Sequence, residues 1–262
     1  MNHCPSPLAR HDGFTLAELA VVLVIVALLI GGLLIPLSTQ IDIRNVADTR
    51  RALTEIREAM LGYLVVNGRL PCPASATLVS GAVGAGLEGA WGPGGGGLPP
   101  GCANLAGVVP WATLGVPETD AWGRRYTYRV TRAFTKTVPT ADFTECFPPP
   151  PSPPLSAAFA LCSPGDLTVF ANVAAGARIA TDVPAVIVSH GKNGNGAYTV
   201  LGTQMAAGAD ADEVDNQLTG GGINTANRDF VYKTATDAFD DEVAWIPTGV
   251  LFSRMIRAGK LP

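Results

Sequence analysis

A single carboxylate stands at the head of a long uncharged segment. Glu18 ends the run Gly-Phe-Thr-Leu-Ala-Glu at 13–18, and the next 23 residues, 19–41, carry no charge and are mostly apolar. A charged side chain inside a transmembrane helix costs about 2.5–3.5 kcal/mol on insertion scales. Because such a group is rarely tolerated without a partner, we expect Glu18 to have a specific role.

The uncharged segment is long enough to cross a bilayer. At about 1.5 Å per residue, a helix over 19–41 is roughly 35 Å long. Arg10 precedes it and Asp42 follows it, so a weak positive-inside signal, reduced by Asp12, places residues 1–13 in the cytoplasm. An uncleaved anchor is one alternative. An ordinary secretory signal peptide is another, but the segment 14–41 is too long for one and contains the acid Glu18.

Residues 1–18 resemble the class III signal of type IV pilins and type II secretion pseudopilins. The resemblance implies that residues 1–13 are a leader removed after Gly13 by a prepilin peptidase. The same enzyme class methylates the new N-terminal residue, here Phe14. The glutamate five residues into the mature chain, here Glu18, would serve filament assembly.

The resemblance also implies a location and a set of partners. The protein would span the bacterial inner membrane once, with a periplasmic head, and then join a filament in the periplasm or at the cell surface. Its partners would be other pilin subunits and an inner-membrane assembly platform with a cytoplasmic ATPase. The freed amine of Phe14 would pair with Glu18 of a neighbouring copy, because opposite charges attract strongly in low dielectric. The alternative is that Glu18 merely reaches the lipid headgroups.

The helix is predicted to continue beyond the uncharged segment. We divide it into a transmembrane half, 14–41, and an amphipathic half, 42–67, with a bend near Gly31, Gly32 and Pro36. Apolar residues recur at helical spacing in the second half, at Val46, Leu53, Ile56, Met60 and Leu64. Such a stripe is typical of a helix that packs on a folded domain.

Residues 68–262 predict a β-rich head. The clearest strands are 125–130, which alternates by period two, and 185–189, a short apolar run. Weaker candidates are 167–172 and 229–233. An antiparallel sheet packed on the long helix gives an α+β, pilin-like fold.

Two further stretches are similar to the head of the major pseudopilin of type II secretion. Thr119–Tyr128 contains Asp-Ala-Trp-Gly-Arg-Arg-Tyr, like that family's strand entry, and Val188–Gly196 contains a similar Ser-x-Gly turn. Long inserts at 74–106, which is rich in glycine, and 139–163, which is rich in proline, depart from the compact family head. The large head is typical of a minor subunit rather than the repeating one.

Four cysteines lie beyond the uncharged segment, at Cys72, Cys102, Cys146 and Cys162. An even number in an exported chain predicts disulfides. Four cysteines allow three pairings, and we favour Cys72–Cys102 with Cys146–Cys162, which close short neighbouring loops. Free thiols or a zinc site are the alternative, although no Cys-x-x-Cys spacing is present.

A carboxylate-rich region is the main candidate for metal chemistry. Residues 208–242 hold nine carboxylates opposed only by Arg228 and Lys233. Hard oxygen ligands in loops suit Ca²⁺, and the resembling pseudopilin head binds calcium after its Ser-x-Gly turn. No cofactor is required by this interpretation, and a solvated acidic loop is the alternative. If a structural calcium site exists, we favour Asp210, Asp212, Asp215, Asp240 and Asp241.

Other functions receive less support from the sequence. The net charge of −4 does not favour nucleic-acid binding, and the one basic cluster is Arg124, Arg125, Arg129 and Arg132. Ser189 beside His190 does not define a catalytic triad, so we expect no enzyme. An adhesive or DNA-uptake minor pilin is the alternative function, and a membrane-anchored or secreted hydrolase is a weaker one.

Overall fold

The computed structural model describes residues 14–92, 100–139, 143–150, 156–172, 174–218 and 228–261. The side chains of residues 31–38 are outside this description, as are the leader 1–13 with its cleavage residue Gly13 and the run of four glycines at 94–97. Contacts divide the chain into two units, Met1–Arg44 and Asn45–Pro262.

One long helix dominates the N-terminal part of the chain. Helix α1 covers Leu16–Asn67, which confirms the helix predicted for 14–67. It ends where Gly68 adopts a left-handed φ of +71° and donates its N–H to the carbonyl of Leu64. In the described residues after α1, the structure has three shorter α-helices and one 3₁₀ helix: α2 Trp111–Leu114, α3 Ala211–Asp215, α4 Thr248–Arg257 and the 3₁₀ helix Arg132–Thr135.

The first unit contains the apolar half of α1. Every described side chain from Phe14 to Ile30 is exposed in the isolated chain; Leu16 is 88% exposed and Leu28 71%. Within the described part of the chain, no helix combines the length and the apolar character needed to cross a membrane.

The described part of the second unit contains two main sheets and two small two-stranded ribbons. The four-stranded sheet has the order β11-β8-β5-β3 and is antiparallel throughout. The three-stranded sheet has the order β10-β6-β7, and its β10–β6 pair is parallel. The strands are β1 Trp91–Gly92, β2 Gly101–Cys102, β3 Ala106–Val108, β4 Arg124–Arg125, β5 Thr127–Val130, β6 Leu167–Asn172, β7 Ala177–Val183, β8 Ala185–Ser189, β9 Tyr198–Thr199, β10 Asp229–Val231 and β11 Glu242–Ile246.

The four-stranded sheet is buried on both faces. In β8, Ala185 and Ile187 pack in the cluster that contains α1 and α4, whereas Val186 and Val188 pack against the three-stranded sheet. Side chains alternate between the faces of a strand, so one short apolar run serves two cores. This arrangement explains why β8 is apolar at almost every position.

The second half of α1 supplies one wall of the larger core. Leu53, Ile56, Met60 and Leu64 are at most 4% exposed, as their helical spacing predicts. Helix α4 packs beside α1 through Leu251 and Met255. The second half of α1 is therefore held by burial of apolar surface, which contributes about 25 cal/mol per Å².

Two disulfides fasten the loops of the second unit. They are Cys72–Cys102 and Cys146–Cys162, the pairing favoured by the sequence. The first joins the chain leaving α1 to β2. The second links Cys146 and Cys162, which lie on either side of the proline-rich run in the sequence.

Several strand boundaries differ from the prediction. The predicted strand 125–130 is split into β4 and β5, which pair with different partners. The strand predicted for 229–233 ends at Val231. Strands β7 and β11 and helix α4 were among the elements not predicted. Strand β7 is mostly exposed, so no buried apolar run marks it in the sequence.

Candidate functional site

Glu18 takes part in a capping box at the start of α1. Its Oε2 accepts hydrogen bonds from the backbone N and the Oγ1 of Thr15, both at 2.9 Å. The N–H of Glu18 donates in return to Thr15 Oγ1 at 3.3 Å. This reciprocal pattern satisfies backbone donors that a helix start otherwise leaves unpaired. Within one chain the carboxylate of Glu18 is therefore already hydrogen-bonded.

A second feature is a set of three carboxylates, one in α3 and two in the residues just before β11. Ligand oxygens of Glu213, Asp240 and Asp241 lie within 4.8 Å of one another. Glu213 is fully buried and Asp241 is 3% exposed. We call these three residues the carboxylate cluster. Three acids this close repel one another strongly when all are ionised.

Amide groups hold the carboxylate cluster in place. The side-chain amides of Asn193 and Asn195 donate to the two oxygens of Glu213. The backbone N of Asn193 donates to Asp240 Oδ2 at 2.9 Å. The turn after β8 thus forms one wall of the cluster.

One oxygen each of Asp240 and Asp241 remains without a hydrogen bond although it is buried. Asp241 Oδ2 accepts from Asn216 at 2.8 Å, but Oδ1 accepts no hydrogen bond and lies 3.6 Å from His190 Nδ1. A buried carboxylate oxygen without a partner is costly. The two oxygens therefore mark a place where a cation or a bound water would be stabilising.

The pKa of Asp240 reflects this setting. Burial raises the pKa of Asp240, the carboxylates of Asp241 and Glu213 raise it further, and backbone hydrogen bonds from Asn193 and Lys192 oppose the rise only in part. The balance favours a compensating positive charge at the cluster.

The structure divides the five carboxylates favoured by the sequence. Asp240 and Asp241 belong to the carboxylate cluster, but Asp210, Asp212 and Asp215 do not. Asp210 caps α3 by accepting from the N–H groups of residues 212 and 213.

A lysine neutralises part of the remaining group. Lys233 Nζ donates to Asp212 and lies 3.6 Å from Asp210. Burial raises the pKa of Asp215, and the nearby Asp212 and Asp229 raise it further. The ammonium group of Lys233 therefore occupies the place where the sequence suggested an ion beside Asp210 and Asp212.

Arg124 braces the turn after β8 from outside. Its Nη1 donates to the carbonyl of Gly191 at 2.6 Å and to that of Lys192 at 2.9 Å. Gly194 has a φ of +66°, and a Cβ there would lie 2.1 Å from the Arg124 side chain. Gly191 has a φ of +54°, and a Cβ there would overlap Asp240. The turn is therefore tightly enclosed between Arg124 and the carboxylate cluster.

Ser189 and His190 do not form a nucleophile–base pair. Ser189 Oγ donates to Asp120 Oδ2 at 2.6 Å. His190 Nε2 lies 3.1 Å from Thr127 Oγ1. Both Ser189 and His190 are fully buried, so these side chains tie strands and turns together.

The predicted basic cluster is not a surface patch. Arg125 and Arg129 are at most 1% exposed, and Arg125 forms an ion pair with Glu118 at 2.8 Å. Three of the four tryptophans make ring contacts within the head: Trp91 lies under the guanidinium of Arg69 at 4.2 Å. The guanidinium of Arg125 lies over the ring of Trp111. The ring of Trp245 makes an edge contact with the ring of Tyr232.

Comparison with known proteins bears on the N-terminal segment. The family model described as the prokaryotic N-terminal methylation motif matches residues 8–34. The chain carries a prepilin-type methylation motif. This motif is characteristic of type IV pilins and pseudopilins, which confirms the resemblance drawn from residues 1–18. No curated protein and no solved structure gives a significant match.

Sequence reasoning missed three residues of these sites. Thr15 has a readable signal, because Thr-x-x-Glu before an apolar run is a capping-box pattern. Glu213 was counted among the acids but not chosen, since its setting depends on contacts with the turn after β8 and with Asp240, which are distant in sequence. Arg124 had no local signal, because its two acceptors lie 67 and 68 residues further along the chain.

Proposed function

We propose that this protein is a pilin-like structural subunit of a type IV pilus or a type II secretion pseudopilus. A prepilin peptidase would cleave it after Gly13 and methylate Phe14. The observation that carries the proposal is the methylation motif at 8–34, which overlaps a segment, 14–30, whose residues are all exposed and, apart from Glu18, uncharged.

The exposed apolar surface supports assembly. Large apolar patches on an isolated chain mark surfaces that another molecule or a lipid covers. Before assembly, the inner membrane would cover residues 14–30, with the head in the periplasm. In the filament, the same helices of neighbouring subunits would cover them.

A minor-subunit role is the finer proposal. The inserts 74–106 and 139–163 enlarge the head, and each is fastened by a disulfide. Glu18 argues against the position at the extreme tip, because a tip subunit has no copy above it whose amine could pair. The buried Arg125 and Arg129 do not favour a DNA-uptake role.

Processing is tested by mass spectrometry of the full chain expressed with a prepilin peptidase. We expect a mature protein that begins with methyl-phenylalanine at residue 14. Gly13→Val should retain the leader, because the cleavage residue is changed, whereas Gly62→Ala, an exposed position on the same helix, should be processed normally. A mature N-terminus beyond residue 36 would overturn the proposal.

We also propose that the carboxylate cluster binds a structural Ca²⁺. Its oxygens are hard ligands, and the orphaned oxygens of Asp240 and Asp241 would be satisfied by the ion. Calcium should raise the melting temperature of the full chain in detergent, and chelation should reverse the rise. Glu213→Gln should abolish the rise, whereas Asp237→Asn, an exposed acid outside the cluster, should keep it. An unchanged wild-type melting temperature would remove the calcium proposal.

A further inference from the structure

We infer that Arg124 couples the carboxylate cluster to helix α1. This inference rests on the proposed calcium site and assigns a positioning role to Arg124. An ion bound at the carboxylate cluster would stabilise α1 near Thr49, in the half of the helix that packs in the head. The route consists of direct contacts, each of which involves a buried or half-buried group.

The first contacts run from the cluster to the turn. Asp240 accepts from the N–H of Asn193, and its backbone abuts Gly191 so closely that no side chain fits there. An ion bound by Asp240 would therefore fix the carbonyls of Gly191 and Lys192. Arg124 Nη1 binds both carbonyls, so the guanidinium follows the turn.

The next contacts run from Arg124 to α1. The backbone N of Arg124 donates to Asp120 Oδ1 at 2.9 Å, and Asp120 Oδ2 accepts from Ser189. The adjacent Ala121 donates its N–H to Thr49 Oγ1 at 3.4 Å. Thr49 is fully buried, so its hydroxyl belongs to the contact between α1 and this turn. The 119–128 and 188–196 motifs are thereby joined into one rigid connection.

The physical expectation is a coupling between ion binding and local helix opening. Ion binding that orders the turn should make opening of α1 around residues 46–53 less favourable. Arg124 contacts the turn directly, and its backbone is linked through Asp120 and Ala121 to Thr49 of α1. Coupling of this kind is reciprocal and requires a contiguous set of contacts with two arrangements, ordered and open. In the proposed filament subunit it would link calcium to the helix through which copies assemble.

The test is hydrogen exchange of the full chain in detergent, with calcium alone as the probe and binding measured in parallel by calorimetry. In the wild type, calcium should slow exchange of the amides at 46–53 by roughly fivefold or more, the lower range of allosteric couplings. Arg124→Gln should still bind calcium but lose this slowing. Arg257→Gln, an exposed arginine on α4, should behave as the wild type.

A second variant guards against misfolding of the first. Thr49→Val keeps the size of the side chain and removes the oxygen that accepts from Ala121. It should bind calcium with an unchanged affinity and lose most of the calcium-dependent slowing.

A merely structural role for Arg124 would speed exchange equally with and without calcium, and that result would overturn the inference.

The remaining outcomes separate the coupling from the site. Calcium binding without slowed exchange at 46–53 in the wild type would overturn the coupling and leave the site. Equal slowing in the wild type and in Arg124→Gln would likewise exclude this route. Absence of calcium binding in the wild type would overturn the calcium site and the coupling together.

Discussion

At the scale of single residues, Glu88 is an acid held in the head by several hydrogen bonds. It accepts from the hydroxyl of Tyr63, the guanidinium of Arg69 and the backbone N of Cys72. Burial raises the pKa of Glu88, but these hydrogen bonds outweigh it and hold the pKa below its ordinary value. One half-buried carboxylate thus joins the end of α1 to the first disulfide.

Replacing Glu88 should destabilise the head. Glu88→Gln leaves Arg69 without its counter-charge, and we expect the free energy of unfolding at neutral pH to fall by about 2–3 kcal/mol. Urea unfolding of the full chain in detergent, followed by tryptophan fluorescence, measures the change. Glu58→Gln is the matched control, because its pair with Arg254 is about half exposed and should contribute less than about 1 kcal/mol.

The pH dependence follows from the same carboxylate. Because the pKa of Glu88 is lower in the folded state, its stabilisation is fully present above the ordinary pKa of an unfolded glutamate and is lost as the pH falls through the folded value. The difference between wild type and Glu88→Gln should therefore shrink in acid. A constant difference from pH 7 to pH 3 would contradict this account of Glu88.

At the scale of elements, the packing of α1 on the head rests on its buried stripe. Ile56→Ala should lower the free energy of unfolding by about 2–5 kcal/mol, since Ile56 is fully buried. Val66→Ala, on the same helix at 75% exposure, should change it by less than about 0.5 kcal/mol. Denaturant midpoints of the two variants give the comparison, and equal midpoints would exclude the proposed packing.

The elements also show how far the sequence could predict the fold. Leu53, Ile56, Met60 and Leu64 predicted the buried face of α1 because helical spacing is local. Strand 185–189 was also predicted, because a short apolar run is likewise a local signal. Strand β11 was not, since Glu242 begins it and is stabilised by Arg50 of α1, 192 residues away. The parallel pairing of β10 with β6 likewise depends on contacts that no local pattern encodes.

The site was predicted in the same uneven way. Glu18 stood out because one charge in an apolar run is conspicuous, and the methylation motif confirms the kind of segment in which it lies. Of the five carboxylates favoured by the sequence, Asp240 and Asp241 lie in the carboxylate cluster and the other three do not, while calcium binding itself stays a prediction. Lys233 pairs with Asp212, while the burial of Glu213 places it in the cluster, and both depend on tertiary contacts.

At the scale of the whole molecule, the two units differ in how much of their apolar surface is buried. Residues 14–30 expose an apolar surface that must be covered, whereas the head buries two cores and is closed by two disulfides. A pilin-like subunit satisfies both, because assembly covers the helix and leaves the head folded. In the proposed filament, assembly would depend on the short segment around Glu18 more than on the head.

Filament assembly by Glu18 variants tests this claim most directly. Glu18→Gln removes the charge but keeps a side chain that can complete the capping box with Thr15, whereas Glu18→Ala removes both. Glu55→Ala changes an exposed acid elsewhere on α1 and serves as the control. The measurement is the fraction of processed subunit recovered in sheared filaments. We expect both Glu18 variants to lose at least about tenfold, equivalent to about 1.4 kcal/mol, while Glu55→Ala assembles normally. Normal assembly of Glu18→Gln would contradict the pairing of this carboxylate with the amine of a neighbouring copy.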